Sequence, residues 1–259
     1  MLSLRILLGL LLFAAFSVQL IVLSASPNGK ARVYSGCTEP NKVALTFDDG
    51  PYIYENVISD YLDSKGVKAT FFVNGYNYEC IYGTKVAARL QKTYRSGHQI
   101  CSHTWDHADL TGLSEAQIVD ELNKIDVALF KILGINTTFV RPPYGSYDDL
   151  VRQVAYKLGK ILITWDFDSG DSVGATVQQS EDDYDENIGE HVNNLLALNH
   201  ETKKNTAEQL VPYVVEKFQA AGYELVTVAE CLGLEPYTYV GPLGVRDKTW
   251  FCEEERSGN

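Results

Sequence analysis

The sequence predicts a parallel α/β fold, and three observations indicate it. Short apolar runs alternate with amphipathic stretches along almost the whole chain, and polar side chains directly follow most of the apolar runs. The chain has 259 residues, of which 45% are hydrophobic, and this is enough for one α/β domain of barrel size. The sequence shows no internal repeat and no Pro- or Ser-rich linker. We therefore expect a single domain built as an open parallel sheet or as a barrel.

The N-terminal residues 1–25 have the layout of a secretory signal peptide. Arg5 precedes a long apolar run, and small residues follow that run, so we expect cleavage near Ala25 or Ser26. The run could nearly span a bilayer, which makes a signal anchor or a buried first strand the alternative. With cleavage, the mature domain covers residues 26–259 and the protein is secreted, to the extracellular space or the cell wall.

Seven apolar runs are predicted as buried parallel strands, because short runs without alternation suit strands covered on both faces. They are residues 42–46, 69–73, 99–102, 138–140, 161–164, 195–199 and 224–226.

Six amphipathic stretches between these runs are predicted as helices. The best defined begins after a cap at Ser114 and ends at Gly134. The acidic segment 172–190 is predicted as a surface loop that leads into the fifth helix. The six helices are residues 56–66, 84–96, 114–134, 148–158, 185–194 and 206–221.

The net charge of the chain limits the kinds of partner that it can bind. The formal net charge of -12 argues against a nucleic-acid partner and fits a soluble protein with a neutral or cationic substrate. We expect a monomer with no stable membrane insertion.

The five cysteines are too scattered for a zinc ribbon, and secretion permits disulfides among them. Cys101 lies in a predicted core strand and is our choice for a buried free thiol. Asn136 begins the only glycosylation sequon, "NTT", and an unmodified asparagine is the alternative.

Polar residues stand just past the ends of the predicted strands. In a parallel barrel this edge is where active sites form, because strand ends from distant sequence converge there. Asp48 and Asp49 follow the first strand, His103 and His107 the third, Arg141 the fourth and Asp168 the fifth, and His200 closes the sixth.

Asp48 and Asp49 together predict a bound cation. Like charges in contact repel, so two adjacent carboxylates at the end of a buried strand need a cation or a proton nearby. A solvated Asp-Gly-Pro turn is the alternative. His103 and His107 lie four residues apart, which suits a helix surface or a pair of metal ligands. Together with one aspartate they give the His/His/Asp set of catalytic zinc sites.

The aspartate that does not bind the metal is then free to act as a general base. Arg141 would balance its charge, although an arginine in "RPPYG" could instead bind loop carbonyls.

Five segments resemble the ordered motifs of a known family. "TFDDGP", "HTWDH", "RPPYG", "WDFDSGDS" and "LALNH" resemble those of the polysaccharide deacetylases, the NodB-homology domain of carbohydrate esterase family four. The resemblance runs from residue 42 to residue 231, and the ending "VAECLGLEPYTYVG" is similar to fungal chitin deacetylases. It implies a distorted (β/α)7 barrel that removes N-acetyl groups from chitin or chitooligosaccharides to give chitosan and acetate. An acetylxylan esterase of the same fold is the alternative, and an inactive wall-binding protein is a third.

The resemblance also implies a metal site and a base. Asp49, His103 and His107 would hold a divalent metal, zinc in the first place, with cobalt as a substitute. Asp48 would be the catalytic base, and Arg141 would orient it.

Further residues receive roles from the same resemblance. His200 would be the general acid, with Asp168 holding and tuning its imidazole. The backbone N–H of Tyr144 would help to hold the oxyanion, and Leu198 would line the pocket for the acetate methyl. Independently of the resemblance, the position of Trp105 near the predicted barrel mouth suits either stacking on a sugar ring or packing inside the protein. The family's fourth motif usually ends in Asp-Trp, whereas Ser172 stands in the Trp position here.

The fungal resemblance finally implies the disulfide pairing. It pairs Cys37 with Cys231, with a bridge between Cys80 and Cys252 as a companion.

Overall fold

The parallel sheet is the scaffold of the molecule. The computed structural model describes residues 28–190 and 192–252, so the expected signal peptide lies outside the described residues. The strands in this part of the chain are β1 (Val33–Tyr34), β2 (Lys42–Gly50), β3 (Thr70–Val73), β4 (Gln99–Ser102), β5 (Ile135–Thr137), β6 (Phe139–Val140), β7 (Ile161–Ile163), β8 (Phe167–Asp168), β9 (Leu195–His200), β10 (Glu224–Leu225) and β11 (Tyr237–Val240).

Nine of these strands form one curled sheet in the order β1-β7-β6-β4-β3-β2-β9-β8, with β10 also paired to β2. Every pairing in it is parallel. β5 and β11 form a separate antiparallel pair. All seven predicted strands lie in the large sheet, which confirms the distorted barrel of parallel strands as the fold. β1, β5, β8 and β11 are additional; they have two to four residues each and carry too little pattern to be predicted.

Helices cover the outside of the sheet. They are α1 (Glu55–Ser64), α2 (Thr84–Arg95), α3 (Glu115–Leu133), α4 (Asp149–Lys157), α5 (Val177–Gly189), α6 (Val211–Ala220) and α7 (Val228–Leu232), and a π-type turn at Thr206–Leu210 runs into α6. The predicted ends of α3 are confirmed, since Ser114 forms a capping box with Gln117 and Gly134 is left-handed at φ 72°. No helix within the described ranges is both long and apolar enough to cross a membrane.

The predicted position of the fifth helix is wrong. We expected a loop over the acidic segment and a helix at residues 185–194, but α5 begins eight residues earlier and ends at Gly189. Thr176 starts the helix through a capping box with Gln179. Ser180 and Tyr184, one turn apart, are its buried residues. The buried stripe is narrow, so the acidic composition conceals it in the sequence.

Two disulfides brace the domain. Cys37 is bonded to Cys231 and Cys80 to Cys252, and Cys101 is free and fully buried in β4. The first bridge joins the segment before β2 to α7. Asn136 is exposed on β5, and its glycosylation stays a prediction.

Candidate active site

Three predicted metal ligands meet at the C-terminal edge of the sheet. One ligand atom from each of Asp49, His103 and His107 lies within 4.8 Å of the others. Asp49 Oδ1 is 3.3 Å from His107 Nε2 and 3.7 Å from His103 Nε2. The same Oδ1 atom is buried and has no hydrogen-bond partner within the described residues. A buried carboxylate oxygen without a donor, beside two imidazole nitrogens, fits a divalent cation.

The loops that carry these ligands are strained and closely held. Asp49 and His107 have positive φ angles of 75° and 63°, and Thr104 has 72°. Such backbone persists only where its surroundings fix it. The buried amide of Asn74 donates to the carbonyl oxygens of His103 and Thr104, at 2.5 and 3.2 Å. These bonds fix the start of the loop between the two histidines.

The imidazole of His103 is oriented by its second nitrogen. Its Nδ1 lies 2.7 Å from the carbonyl oxygen of Arg141, which leaves Nε2 to face Asp48 and Asp49. Burial lowers the pKa of His103 to about 3, so the ring is in the neutral form that binds metals.

Asp48 and Arg141 form a buried pair behind the metal ligands. Arg141 Nη1 donates to Asp48 Oδ1 at 2.8 Å and to Thr46 Oγ1 at 2.6 Å, and both charged side chains are almost fully buried. The guanidinium also lies over the ring of Phe72, 4.2 Å from its centroid. Burial raises the pKa of Asp48 above its ordinary value, while the charge and hydrogen bond of Arg141 act against this rise. Asp48 is thus a fixed carboxylate with a strengthened affinity for a proton.

His200 lies beside this pair but is held by a different aspartate from the one predicted. Its Nδ1 is 2.7 Å from Asp171 Oδ1, and its backbone N–H donates to Asp171 Oδ2 at 2.8 Å. Thr206 Oγ1 donates to the same Oδ2 atom at 2.7 Å. Burial lowers the pKa of His200, but the hydrogen bond and charge of Asp171 outweigh it, so the net pKa is raised. An imidazole with a raised pKa is suited to donate a proton.

Asp168 is therefore the wrong partner for His200. It lies at the end of β8 with an exposed side chain, and its Oδ1 accepts from the backbone N–H of Gly170 at 2.9 Å. Successive strand residues point to opposite faces, so the buried ring of Phe167 forces Asp168 outward. Asp171 stands in the loop after the strand, where it can turn toward His200.

The three predicted substrate contacts lie in different surroundings. Leu198 is buried two residues before His200 in β9 and therefore faces the same side of the strand. Tyr144 is 68% exposed, and its ring lies 4.8 Å from that of His107. Trp105 packs against Gly75 and Tyr82 and lines a cavity whose lining residues include neither Asp48 nor His200. The structure favours packing for Trp105, and substrate contacts of all three stay predictions.

Open space adjoins the His200 side of the site. A cavity of about 360 Å³ is bordered by Asp171 and by the side chains of Tyr52, Tyr54, Thr202 and Lys203. Aromatic rings and hydroxyl groups together are typical of pockets that take polar organic ligands such as sugars.

Comparison with known proteins identifies the family. The polysaccharide deacetylase pattern matches residues 35–162. The chain is 38% identical over 208 residues to a chitin deacetylase of Pestalotiopsis sp., covering 78% of this chain and 67% of that protein. It is 31% identical to the chitin deacetylase of Colletotrichum lindemuthianum, covering 82% of this chain and 90% of that one.

The structure of the Colletotrichum lindemuthianum enzyme superposes with a TM-score of 0.77 at 29% identity, over 82% of this chain and 96% of the other. The chain spans only about half the length of several other relatives that it matches. The chain belongs to the polysaccharide deacetylase family and is a hydrolase of the deacetylase type.

Proposed function

We propose that this protein is a secreted, metal-dependent chitin deacetylase that hydrolyses N-acetyl groups of chitin or chitooligosaccharides. The observation that carries the proposal is the placement of a base and an acid beside one cluster of metal ligands. Asp48 and His200 are register partners on β2 and β9, and Asp49 follows Asp48 directly. The relatives named as chitin deacetylases support the substrate, and the two disulfides support secretion.

Asp49, His103 and His107 would hold the metal, for which zinc is the best candidate. One carboxylate and two imidazoles are typical zinc ligands, and they leave positions open. A bound divalent ion supplies Lewis acidity, which polarises the acetyl carbonyl and makes a water molecule more acidic.

The chain's own groups would move the protons. Asp48, held by Arg141, takes a proton from the attacking water. The backbone N–H of Tyr144 donates to the oxyanion as the carbonyl carbon becomes tetrahedral. His200, protonated and held by Asp171, gives its proton to the amide nitrogen, because an amine leaves readily only in protonated form.

Acetate release from acetylated chitin oligomers tests this function. The purified protein should release acetate and generate free amines, lose this activity to a chelator and regain it with zinc. Acetylated xylan, supplied in parallel, should release little acetate. Acetate from xylan without activity on chitin oligomers would identify an O-acetyl esterase instead. Inactivity on both substrates with zinc fully bound would refute the deacetylase proposal.

His103→Ala or His107→Ala should lower zinc content and activity together while the far-UV circular dichroism stays unchanged. Each change removes one ligand but leaves the sheet in place. Zinc content measured by elemental analysis gives a result independent of turnover. A variant with full zinc content and wild-type turnover would remove that histidine from the ligand set.

A further inference from the structure

Glu201, the residue after His200, contacts the turn at residues 48–52, which carries Asp48 and Asp49. Its backbone N–H donates to the carbonyl oxygen of Asp48 at 3.2 Å. Its Oε1 accepts from the backbone N–H of Tyr52 at 2.6 Å. The carboxyl group also lies so close to Gly50 that a Cβ there would collide with it. Glu201 therefore contacts the chain before and after Asp49, on the buried side of the turn.

The turn needs such a support. Asp49 has φ 75°, a conformation costly for a residue with a side chain, and the register between β2 and β3 shifts between Asp48 and Gly50. A bulge with left-handed backbone would relax unless neighbouring groups fix it. Glu201 supplies a hydrogen bond and a packed surface at this point.

Glu201 has a buried neighbour of the same kind. Glu55, the first residue of α1, is fully buried like Glu201, and its charge acts on the Glu201 carboxyl. Glu201 Oε2 has no hydrogen-bond partner within the described residues.

Several charged and polar groups act on the pKa values of the two carboxyls. Burial, followed by the charge of Glu55, raises the pKa of Glu201, and Asp49 adds to the rise. Arg89 acts in the opposite direction on both carboxyls, and Lys92 and Thr93 do so on Glu55. Arg89 is itself paired with Glu79 at 3.1 Å, so its charge is shared.

We propose that Glu201 is a positioning residue of the active site. Its Oε1 accepts from the backbone N–H of Tyr52, and its own backbone N–H donates to the carbonyl oxygen of Asp48, so that the end of β9 and the Asp48–Asp49 turn are joined. Glu201 then sets the direction of the Asp49 ligand and the Asp48 base without contacting substrate. The inference rests on the proposed metal site, but metal binding tests it without any substrate.

Two substitutions at Glu201 separate the effect of its side-chain length from the effect of its charge. Glu201→Gln keeps the length of the side chain and an oxygen that can accept from the backbone N–H of Tyr52. Glu201→Asp keeps the acid but is one methylene too short to reach Tyr52. Zinc affinity, measured by competition with a chelating dye, should stay within about threefold of wild type for Glu201→Gln and fall about tenfold or more for Glu201→Asp, as is usual when a group supporting metal ligands is lost. The rate constant for acetate release should follow the same order.

Val154→Ala is the matched control, because Val154 is buried in α4 within an apolar cluster that contains no residue of β2 or β9. It should lower the melting temperature without changing zinc affinity, which separates general loss of stability from a displaced ligand. Zinc affinity in Glu201→Asp equal to that of wild type would overturn the positioning role. Weaker zinc binding in folded Glu201→Gln than in Glu201→Asp would also overturn it, because the role requires the length of the side chain and not its charge. Either result stands even if chitin proves to be the wrong substrate.

Discussion

Asp171, rather than Asp168, is the residue that determines the protonation of His200. Asp171→Asn removes the charge that raises the pKa of His200, so more of the imidazole is neutral at a given pH. We expect acetate release to fall about 100-fold and its alkaline limb to move to lower pH, because the protonated acid is lost earlier.

Asp168→Asn is the matched control for this change. Its side chain only supports the turn at Gly170, so its rate and pH profile should stay close to wild type. An unchanged alkaline limb in Asp171→Asn, or equal losses in the two variants, would contradict the assignment.

The sequence predicts the ligands and the base more readily than the groups that hold them. Asp49, His103 and His107 stand directly at or after strand ends, so their order along the chain already brings them together. Asp171 could have been found from the alternation of β8, in which Phe167 is apolar and Asp168 must face outward. Glu201 and Asn74 give no local signal, because their partners are backbone groups of loops distant in sequence.

At the scale of single elements, α5 provides a direct test of the corrected helix boundary. Thr176→Ala removes the cap that accepts from the backbone N–H of Gln179, and should lower the free energy of unfolding by about 1 kcal/mol. Urea unfolding measures this loss. Catalysis should be unaffected. An unchanged unfolding free energy would indicate that the helix starts later, nearer to the position predicted from composition.

His98, just before β4, makes the free energy of unfolding depend on pH. Its Nδ1 accepts from the backbone N–H of Ala69, and burial lowers its pKa to about 4 from 6.5. Between these pH values His98 binds a proton in the unfolded chain but not in the folded chain. The free energy of unfolding therefore falls as pH decreases from about 6.5 to about 4.

His98→Gln keeps an acceptor but cannot titrate. Relative to wild type, its free energy of unfolding should therefore improve by up to roughly 3 kcal/mol over this pH range. Burial raises the pKa of Glu55 to about 7, which gives a pH dependence of stability opposite to that of His98. Both proteins contain Glu55, so this contribution cancels in the difference between them. A constant difference between the two proteins across the range would show that His98 does not titrate differently on folding.

At the scale of the whole molecule, the parallel fold follows from sequence because each buried strand is a separate apolar run with helices between. What could not be predicted are the two-residue strands β1 and β8, which extend the sheet through pairings with β7 and β9. These pairings depend on tertiary contacts, because two residues carry no period of their own.

The Cys37–Cys231 bridge closes a loop with a sequence separation of 194. Replacing both cysteines by serine should lower the free energy of unfolding by about 4 to 5 kcal/mol, since the unfolded chain regains the freedom that the bridge removes. Denaturant unfolding of the double variant measures the change. A loss below about 1 kcal/mol would show that the bridge constrains the unfolded chain little.

The measurement that tests the central claim most directly is a zinc titration of acetate release from chitin oligomers by wild type, Asp48→Asn and Asp49→Asn. Asp48→Asn keeps the three ligands but cannot accept the proton of water, so it should bind zinc and remain about 100-fold or more slower at every zinc concentration. Asp49→Asn weakens a ligand, and excess zinc should restore part of its activity. If zinc restored Asp48→Asn and left Asp49→Asn inactive, the roles of ligand and base assigned to these two aspartates would be contradicted.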